Sequence, residues 1–200
     1  MIDLDRWRDV WRRFRGRGAY PHELAFLLEV PLRGLVLSPG QLVRRLPLHP
    51  VARVLEIGPG PGFFSRAVAQ AIPAGRLQLL DLQAPMLRRA RRRLAGAGVR
   101  NIDLAQGDAV RLPFRSALFD LVFLVAVLGE VEEAGACLQE VARVLRPCGA
   151  LSVTELPGDP DALHRSRVRQ LAEAVGFEPV ETRPLHRGYT TTFRKPRCAA

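Results

Sequence analysis

The chain predicts an α/β domain built on a mostly parallel sheet with helices on its faces, preceded by a helical cap. Three observations carry this expectation. From Val51 onward, short apolar runs alternate with helix-period stretches, the pattern of parallel strands joined by right-handed crossovers. The run Val54-Leu55-Glu56-Ile57 breaks into Gly58-Pro59-Gly60-Pro61-Gly62, which reads as a buried strand turning sharply into a helix. The last two strands, Glu178 to Arg183 and Tyr189 to Arg194, are too close for a crossover helix and must pair as an antiparallel hairpin at one edge.

In chain order, residues 1–17 place Leu4, Trp7, Trp11 and Phe14 on one helical face, with Arg6, Arg8, Arg12, Arg13 and Arg15 over much of the rest. Tyr20 to Val30 predicts a second helix with Pro21 in its first turn, and Gly40 to Leu46 a short third one. Residues 1–50 therefore form the cap and residues 51–200 the sheet domain. Strand one is expected over Arg53 to Ile57, its helix over Phe63 to Ala71, and strand two over Leu77 to Leu80. The next helix, Pro85 to Ala95, carries Arg88, Arg89, Arg91, Arg92 and Arg93, a run that ordinarily marks a solvated face. Strand three spans Ile102 to Gln106. Strand four, Phe119 to Val125, is almost wholly apolar and belongs at the sheet centre. A helix from Glu132 to Leu145, a strand from Ala150 to Thr154 and a helix from Asp161 to Val175 precede the hairpin.

Composition narrows the function classes. The 200 residues are 48% hydrophobic, enough for one substantial core. No run reaches the roughly 18 apolar residues that cross a bilayer, and the charged first residues lack a signal-peptide core, so a cytoplasmic location is expected. Cys137, Cys148 and Cys198 have no metal-ligand spacing, which argues against a metal site or a disulfide framework. The net charge of +10 comes from 30 basic residues, of which only Lys195 is a lysine. Such a charge attracts nucleic acid, anionic lipid or acidic substrates; a uniform preference for arginine also reflects coding bias, the reading placed first.

The glycine turn indicates what binds. Loops that cradle phosphates aim backbone N–H groups at oxygens, and Pro59 and Pro61 have none to give. The dinucleotide fingerprint fails in spacing as well, because Phe63 stands where its third glycine belongs. A nucleoside ligand without a phosphate chain remains, beside a plain strand-to-helix turn with no ligand. Ligands of open α/β sheets lie beyond the carboxyl ends of the strands. There, strand one delivers Glu56 and the glycines, and strand two Asp81, about 20 residues on, where a carboxylate accepts ribose hydroxyls. Strand three delivers Asp108, an acceptor for an exocyclic amine, and strand four the apolar Val125 to Leu128. Each acid alone is also a common cap or turn residue; three at consecutive strand ends form a set.

The ordered set Glu56-Ile57-Gly58-Pro59-Gly60-Pro61-Gly62, Leu80-Asp81, Gly107-Asp108-Ala109, Phe119-Asp120-Leu121-Val122 and Leu145-Arg146-Pro147-Cys148-Gly149 resembles the class I S-adenosylmethionine-dependent methyltransferases of the small-molecule and quinone-methylating type. The resemblance covers about residues 51–195. It implies a Rossmann-like seven-stranded sheet in the order 3-2-1-4-5-7-6 with strand seven antiparallel, and S-adenosylmethionine as cofactor. It implies further that Gly58, Gly60 and Gly62 back the methionine part beside Glu56, that Asp81 holds the ribose, and that Asp108 and Ala109 meet the adenine. Leu82 and Met86 would enclose that base and Val125 flank the ligand, while Asp120 matches an aspartate that is structural in the family. Many relatives carry a histidine pair after strand four where this chain has Leu128-Gly129-Glu130-Val131, so no histidine base is inferred.

A sulfonium methyl is already electrophilic, and positioning of the acceptor supplies much of the rate. A base is required only where the acceptor must lose a proton; Glu130 is the candidate, with Tyr20, His22, His186 and Tyr189 behind it. The expected partner is a small or lipid-like acceptor, the cap covering the donor. Residues 1–17 are read as a lid, as a peripheral membrane contact or as simple packing. The alternative, a nucleic-acid-binding protein or RNA methyltransferase using its arginines on phosphate, lacks a base-flipping motif after strand four.

Overall fold

The computed structural model describes residues 37–157, 159–186 and 188–196. Helix α1 (Pro39–Val43) opens on a reciprocal cap. The Ser38 hydroxyl accepts the Gln41 N–H at 3.2 Å and the Gln41 amide oxygen accepts the Ser38 N–H at 2.8 Å, which satisfies two orphan donors of the first turn. Alternation then follows as β1 (Arg53–Ile57), α2 (Ser65–Ala71), β2 (Arg76–Asp81), α3 (Ala84–Gly96), β3 (Ile102–Gln106) and β4 (Phe119–Val125). A single 3₁₀ turn, Leu128–Glu130, leads to α4 (Ala134–Val144), β5 (Leu145–Glu155), α5 (Arg165–Ala174), β6 (Glu178–Leu185) and β7 (Gly188–Arg194).

The seven strands lie in the order β3-β2-β1-β4-β5-β7-β6. β1 through β5 pair in parallel, and β7 runs antiparallel to both β5 and β6, as expected. Side-chain alternation along the strands divides the core into two layers. Val54, Leu77, Leu79, Leu121 and Phe123 pack with Leu37 and Leu42 near the N-terminus, Val68 of α2 and Ala90 and Leu94 of α3. Leu55, Ile57, Val122, Leu124, Leu151 and Val153 face Leu138, Val141 and Val144 of α4 and Val168 and Ala172 of α5. β4 is buried on both faces save for Asp120, the pattern of a central strand covered on both sides. Asp120 accepts the Arg53 N–H at 2.7 Å and pairs with Arg146, tying β1, β4 and β5 together at the end remote from the glycine turn.

Several boundaries shift from expectation by a few residues, and three of the shifts have a local cause. α2 starts at Ser65, because Phe63 and Phe64 belong to the turn. α5 starts at Arg165, since Asp159 Oδ1 holds the Asp161 N–H at 3.0 Å in a turn of its own. β5 starts at Leu145, five residues before the expected Ala150. Leu145-Arg146-Pro147-Cys148-Gly149 carries helix-stop signals, yet the segment pairs as strand: Phe119 faces Leu145, Leu121 faces Ala150, and the residues between bulge outward with Cys148 at φ 61°. Lys195 seals this bulge. Its carbonyl accepts the Cys148 N–H, its N–H donates to Gly149, and its Nζ donates to the Ala142 and Leu145 carbonyls at 2.6 and 2.7 Å.

Residues 37–50 are part of the core described above, with Leu37, Leu42 and Leu46 buried. Arg45 donates to the carbonyls of Arg183 and Pro184, and Arg183 to the carbonyl of Arg44, so this segment also grips β6. The helices expected within residues 1–36, and with them the lid or membrane role of residues 1–17, lie outside the described residues. No helix among the described residues is long and apolar enough to cross a membrane.

Candidate functional site

A cavity of about 430 Å³ opens at the carboxyl ends of β1 to β4. Its position follows from topology: the chain goes outward from β1 to β3 and returns to place β4 on the other side of β1, so the loops after β1 and β4 diverge and leave a crevice.

The turn after β1 forms the back wall. Gly58, Gly60 and Gly62 all take positive φ, at 66°, 54° and 78°. A Cβ on Gly58 would sit 2.5 Å from Val127 Cγ2, so only glycine lets the turn pass beneath the β4 end. All three glycine N–H groups are engaged inside the chain: Gly58 donates to Leu80 O at 2.8 Å, Gly60 to Asp81 Oδ2 at 3.1 Å and Gly62 to Pro59 O at 3.0 Å. Pro59 and Pro61 have no N–H, so the turn from 58 to 62 offers no free backbone donor to a phosphate.

Glu56 is 3% exposed and accepts the Ser65 hydroxyl at 2.6 Å. Burial pushes its carboxyl up to about 8; the Ser65 bond opposes this and Asp81 reinforces it. Asp81 is also buried, and desolvation raises its pKa against two backbone bonds, from Gln83 N–H to Oδ1 at 2.9 Å and from Gly60 N–H to Oδ2. A carboxylate has about four acceptor sites, so both oxygens retain capacity for hydroxyl donors. Asp108 is exposed, with Oδ1 accepting the Val110 N–H at 3.1 Å and Oδ2 without a partner among the described residues.

Glu56, Gly58, Gly60, Asp81, Leu82, Met86, Asp108, Ala109, Val125 and Glu130 all line the cavity, as expected from sequence. Gly62 does not. Its Cα faces α3, where an added Cβ would lie 3.2 Å from that of Ala90, so its role is the close approach of the turn to a helix. His186 is exposed away from the cavity, and the Tyr189 hydroxyl is committed to the Leu163 carbonyl at 2.7 Å. Tyr20 and His22 lie outside the described residues.

Sequence reasoning missed three features. Glu132 and Glu133 join the wall, giving six carboxylates and, among the described residues, no basic side chain. Phe63 and Phe64 also reach the cavity, edge to face at 4.9 Å. Glu155, at the end of β5, is 2% exposed and neither oxygen has a hydrogen-bond partner among the described residues. Burial pushes it up to about 8, with Asp159 and Glu130 adding to the rise; the Leu163 amide offsets part of it without reaching hydrogen-bond geometry. Only tertiary packing reveals that acid. Cys137 is buried and pushed up to about 12, which keeps its thiol inert. No cluster able to hold a metal ion occurs among the described residues.

Residues 54–149 match a methyltransferase-domain family. The chain is 38% identical over 117 residues to a ubiquinone/menaquinone biosynthesis C-methyltransferase of Ectopseudomonas mendocina, covering 56% of this chain and 46% of the relative. It is 35% identical over 107 residues to a malonyl-[acyl-carrier protein] O-methyltransferase of Legionella pneumophila, covering 54% and 37%. The chain thus spans about half, or less, of the length of these curated relatives. Among solved structures, a SAM-dependent methyltransferase from Aquifex aeolicus superposes with a TM-score of 0.83 at 18% identity, over 88% of this chain and 99% of the other, a likeness of fold. Over residues 54–149 the chain is thus similar in sequence to the methyltransferase-domain family, and its strand order and overall fold are those of a SAM-dependent methyltransferase structure.

Proposed function

We propose that this protein transfers a methyl group from S-adenosylmethionine to a small or lipid-like acceptor, of the quinone or acyl-thioester kind on which its relatives act by name. The observation that carries this reading is the pairing of a donor-free glycine turn with Asp81 at one wall of the cavity. A nucleoside needs a carboxylate for its ribose and no phosphate cradle, and these residues meet that need. The space over Gly58, which a side chain would close, admits the ligand's chain against the backbone.

When bound, S-adenosylmethionine supplies an electrophilic methyl on a positively charged sulfur. The protein's own work is then largely geometric. Asp81 accepts the ribose hydroxyls, Asp108 and Ala109 meet the adenine edge, and Leu82 and Met86 enclose that ring. Glu56, held by Ser65, stands beside the methionine portion. The acidic wall, five carboxyl groups besides the proton-holding Glu56, suits a cationic ligand in a chain that is otherwise strongly basic. Val125 and Val127 form the apolar side facing an acceptor. Glu130 is the wall acid closest in the chain to the β4 end and takes the proton from an acceptor hydroxyl or carbon acid, where the acceptor has one to lose.

Titration calorimetry with S-adenosylmethionine, S-adenosylhomocysteine and NAD tests the cofactor. Binding of the first two and none of the third is expected; tight NAD binding with no response to S-adenosylmethionine overturns the reading. Incubating the protein with methyl-labelled S-adenosylmethionine and a panel holding a naphthohydroquinone, a malonyl thioester and a lipid extract, followed by mass spectrometry, identifies the acceptor class. Label found only in RNA from a total extract would reverse the choice of acceptor.

A further inference from the structure

The cavity uses the first turn of α3 and leaves the remainder of that helix unexplained. Five of the six residues from 88 to 93 are arginine, and Arg88, Arg91, Arg92 and Arg93 are exposed. Arg93 lies over the Phe63 ring at 5.6 Å. Arg88, Arg89, Arg91 and Arg92 make no ion pair and no side-chain hydrogen bond among the described residues. The helix contains no acid, and the nearest one across the groove, Asp103, is held at both oxygens by Arg76. Like charges three and four residues apart repel along a helix, so this face is unfavourable in isolation and is relieved by an external anion.

The surroundings indicate which anion. Arg88 and Arg91 overhang a shallow groove between α3 and the edge strand β3, floored by Leu87, Val99, Ile102 and Leu104. Leu82, six residues before Arg88 and on the cavity wall, is 54% exposed. Unpaired arginines beside the partly exposed aliphatic groups Val99, Ile102 and Leu104 match the boundary between phosphate headgroups and acyl chains. A single-stranded nucleic acid calls for exposed aromatic platforms, and the one ring at this face, Phe63, is half-buried under Arg93.

We propose that the Arg88–Arg93 face of α3 docks on an anionic lipid bilayer, the arginines on headgroup phosphates and the aliphatic groove beside β3 at the acyl boundary. Because α3 begins at the cavity rim, docking sets the cavity mouth at headgroup level. A lipid-like acceptor then enters without crossing water. That consequence rests on the methyltransferase reading; the docking itself does not.

The test is sedimentation of the full chain with phosphatidylcholine vesicles, with and without phosphatidylglycerol. Binding is expected only when the anionic lipid is present, and it should fall steeply as salt rises. The triple variant Arg88→Gln/Arg91→Gln/Arg92→Gln should lose about a hundredfold in partition coefficient, at roughly fivefold per arginine, with unchanged melting temperature and S-adenosylmethionine affinity. A chain lacking residues 1–17 should still sediment, and should lose that binding when the three substitutions are added. Triple-variant binding equal to the parent, equal binding to neutral vesicles, salt-insensitive binding, or retention on RNA without vesicle binding each overturns the proposal. Calorimetry with S-adenosylmethionine on the same samples keeps failure of docking separate from failure of the cofactor reading.

Discussion

The Gly60 N–H donates to Asp81 Oδ2 at 3.1 Å, so the residue read as the ribose acceptor also anchors the turn that backs the ligand. Asp81→Ala should weaken S-adenosylmethionine binding by about 1–3 kcal/mol, the cost of leaving hydroxyl donors without a charged acceptor, with additional loss from a loosened turn. Asp81→Asn, which keeps an oxygen for the turn, should fall between. Titration calorimetry on folded variants measures both; an alanine variant that binds as the parent does removes Asp81 from the site.

Gly58→Ala should destabilise the fold. The residue sits at φ 66°, and the new methyl would lie 2.5 Å from Val127 Cγ2. Strain of a non-glycine residue in that region is on the order of 1–3 kcal/mol, and the clash adds to it. Adding Val127→Ala relieves the clash alone. Urea denaturation of the single and double variants should therefore show partial recovery. Full recovery would mean that the backbone tolerates a side chain there, and none that the clash is relieved by other means.

Glu56 and Glu155 are both held near 8 by burial. Their unfolded forms ionise near 4.5, so between about 4.5 and 8 the native state keeps protons that the unfolded state has released. Stability therefore declines as pH rises across that window and levels off above it. Urea melts at several pH values check the decline, which should be reduced in Glu155→Gln and again in the double variant with Glu56→Gln. A decline of unchanged size in the double variant would assign it to other groups.

Lys195→Met should cost about 1–3 kcal/mol, because the Ala142 and Leu145 carbonyls at the end of α4 lose their charged donor. Thermal melts in the absence of ligand measure it. The effect should leave S-adenosylmethionine affinity unchanged, since the bulge lies at the opposite end of the strands from the cavity.

Period and punctuation made most of the sheet legible. The strand expected over Phe119–Val125 and that over Ile102–Gln106 have their expected ends, because apolar runs bounded by turn residues leave little freedom. The β5 start was not legible: Pro147 and Gly149 stop helices, and nothing local says that Lys195, some fifty residues later, will pair the stopped segment as strand. At the site, nine of the ten cofactor residues named from sequence line the cavity. Gly62 does not, since one spacing of glycines serves both ligand approach and helix approach, and only Ala90 opposite distinguishes them. Glu155 was invisible because its character comes from what surrounds it rather than from its neighbours in the chain.

The family match ends at Gly149, within the bulge that opens β5. That boundary divides the sheet between β1 to β4, whose carboxyl ends open on the cavity, and β5 with the hairpin. The matched stretch holds every residue that lines the cavity. In this protein the pieces outside that stretch, residues 37–50 and β6, are also tied directly to each other by the hydrogen bonds of Arg44, Arg45 and Arg183. The cavity wall and the clamp on β6 thus belong to separate stretches of chain, so a substitution in the hairpin can alter its anchoring without touching a residue that lines the cavity.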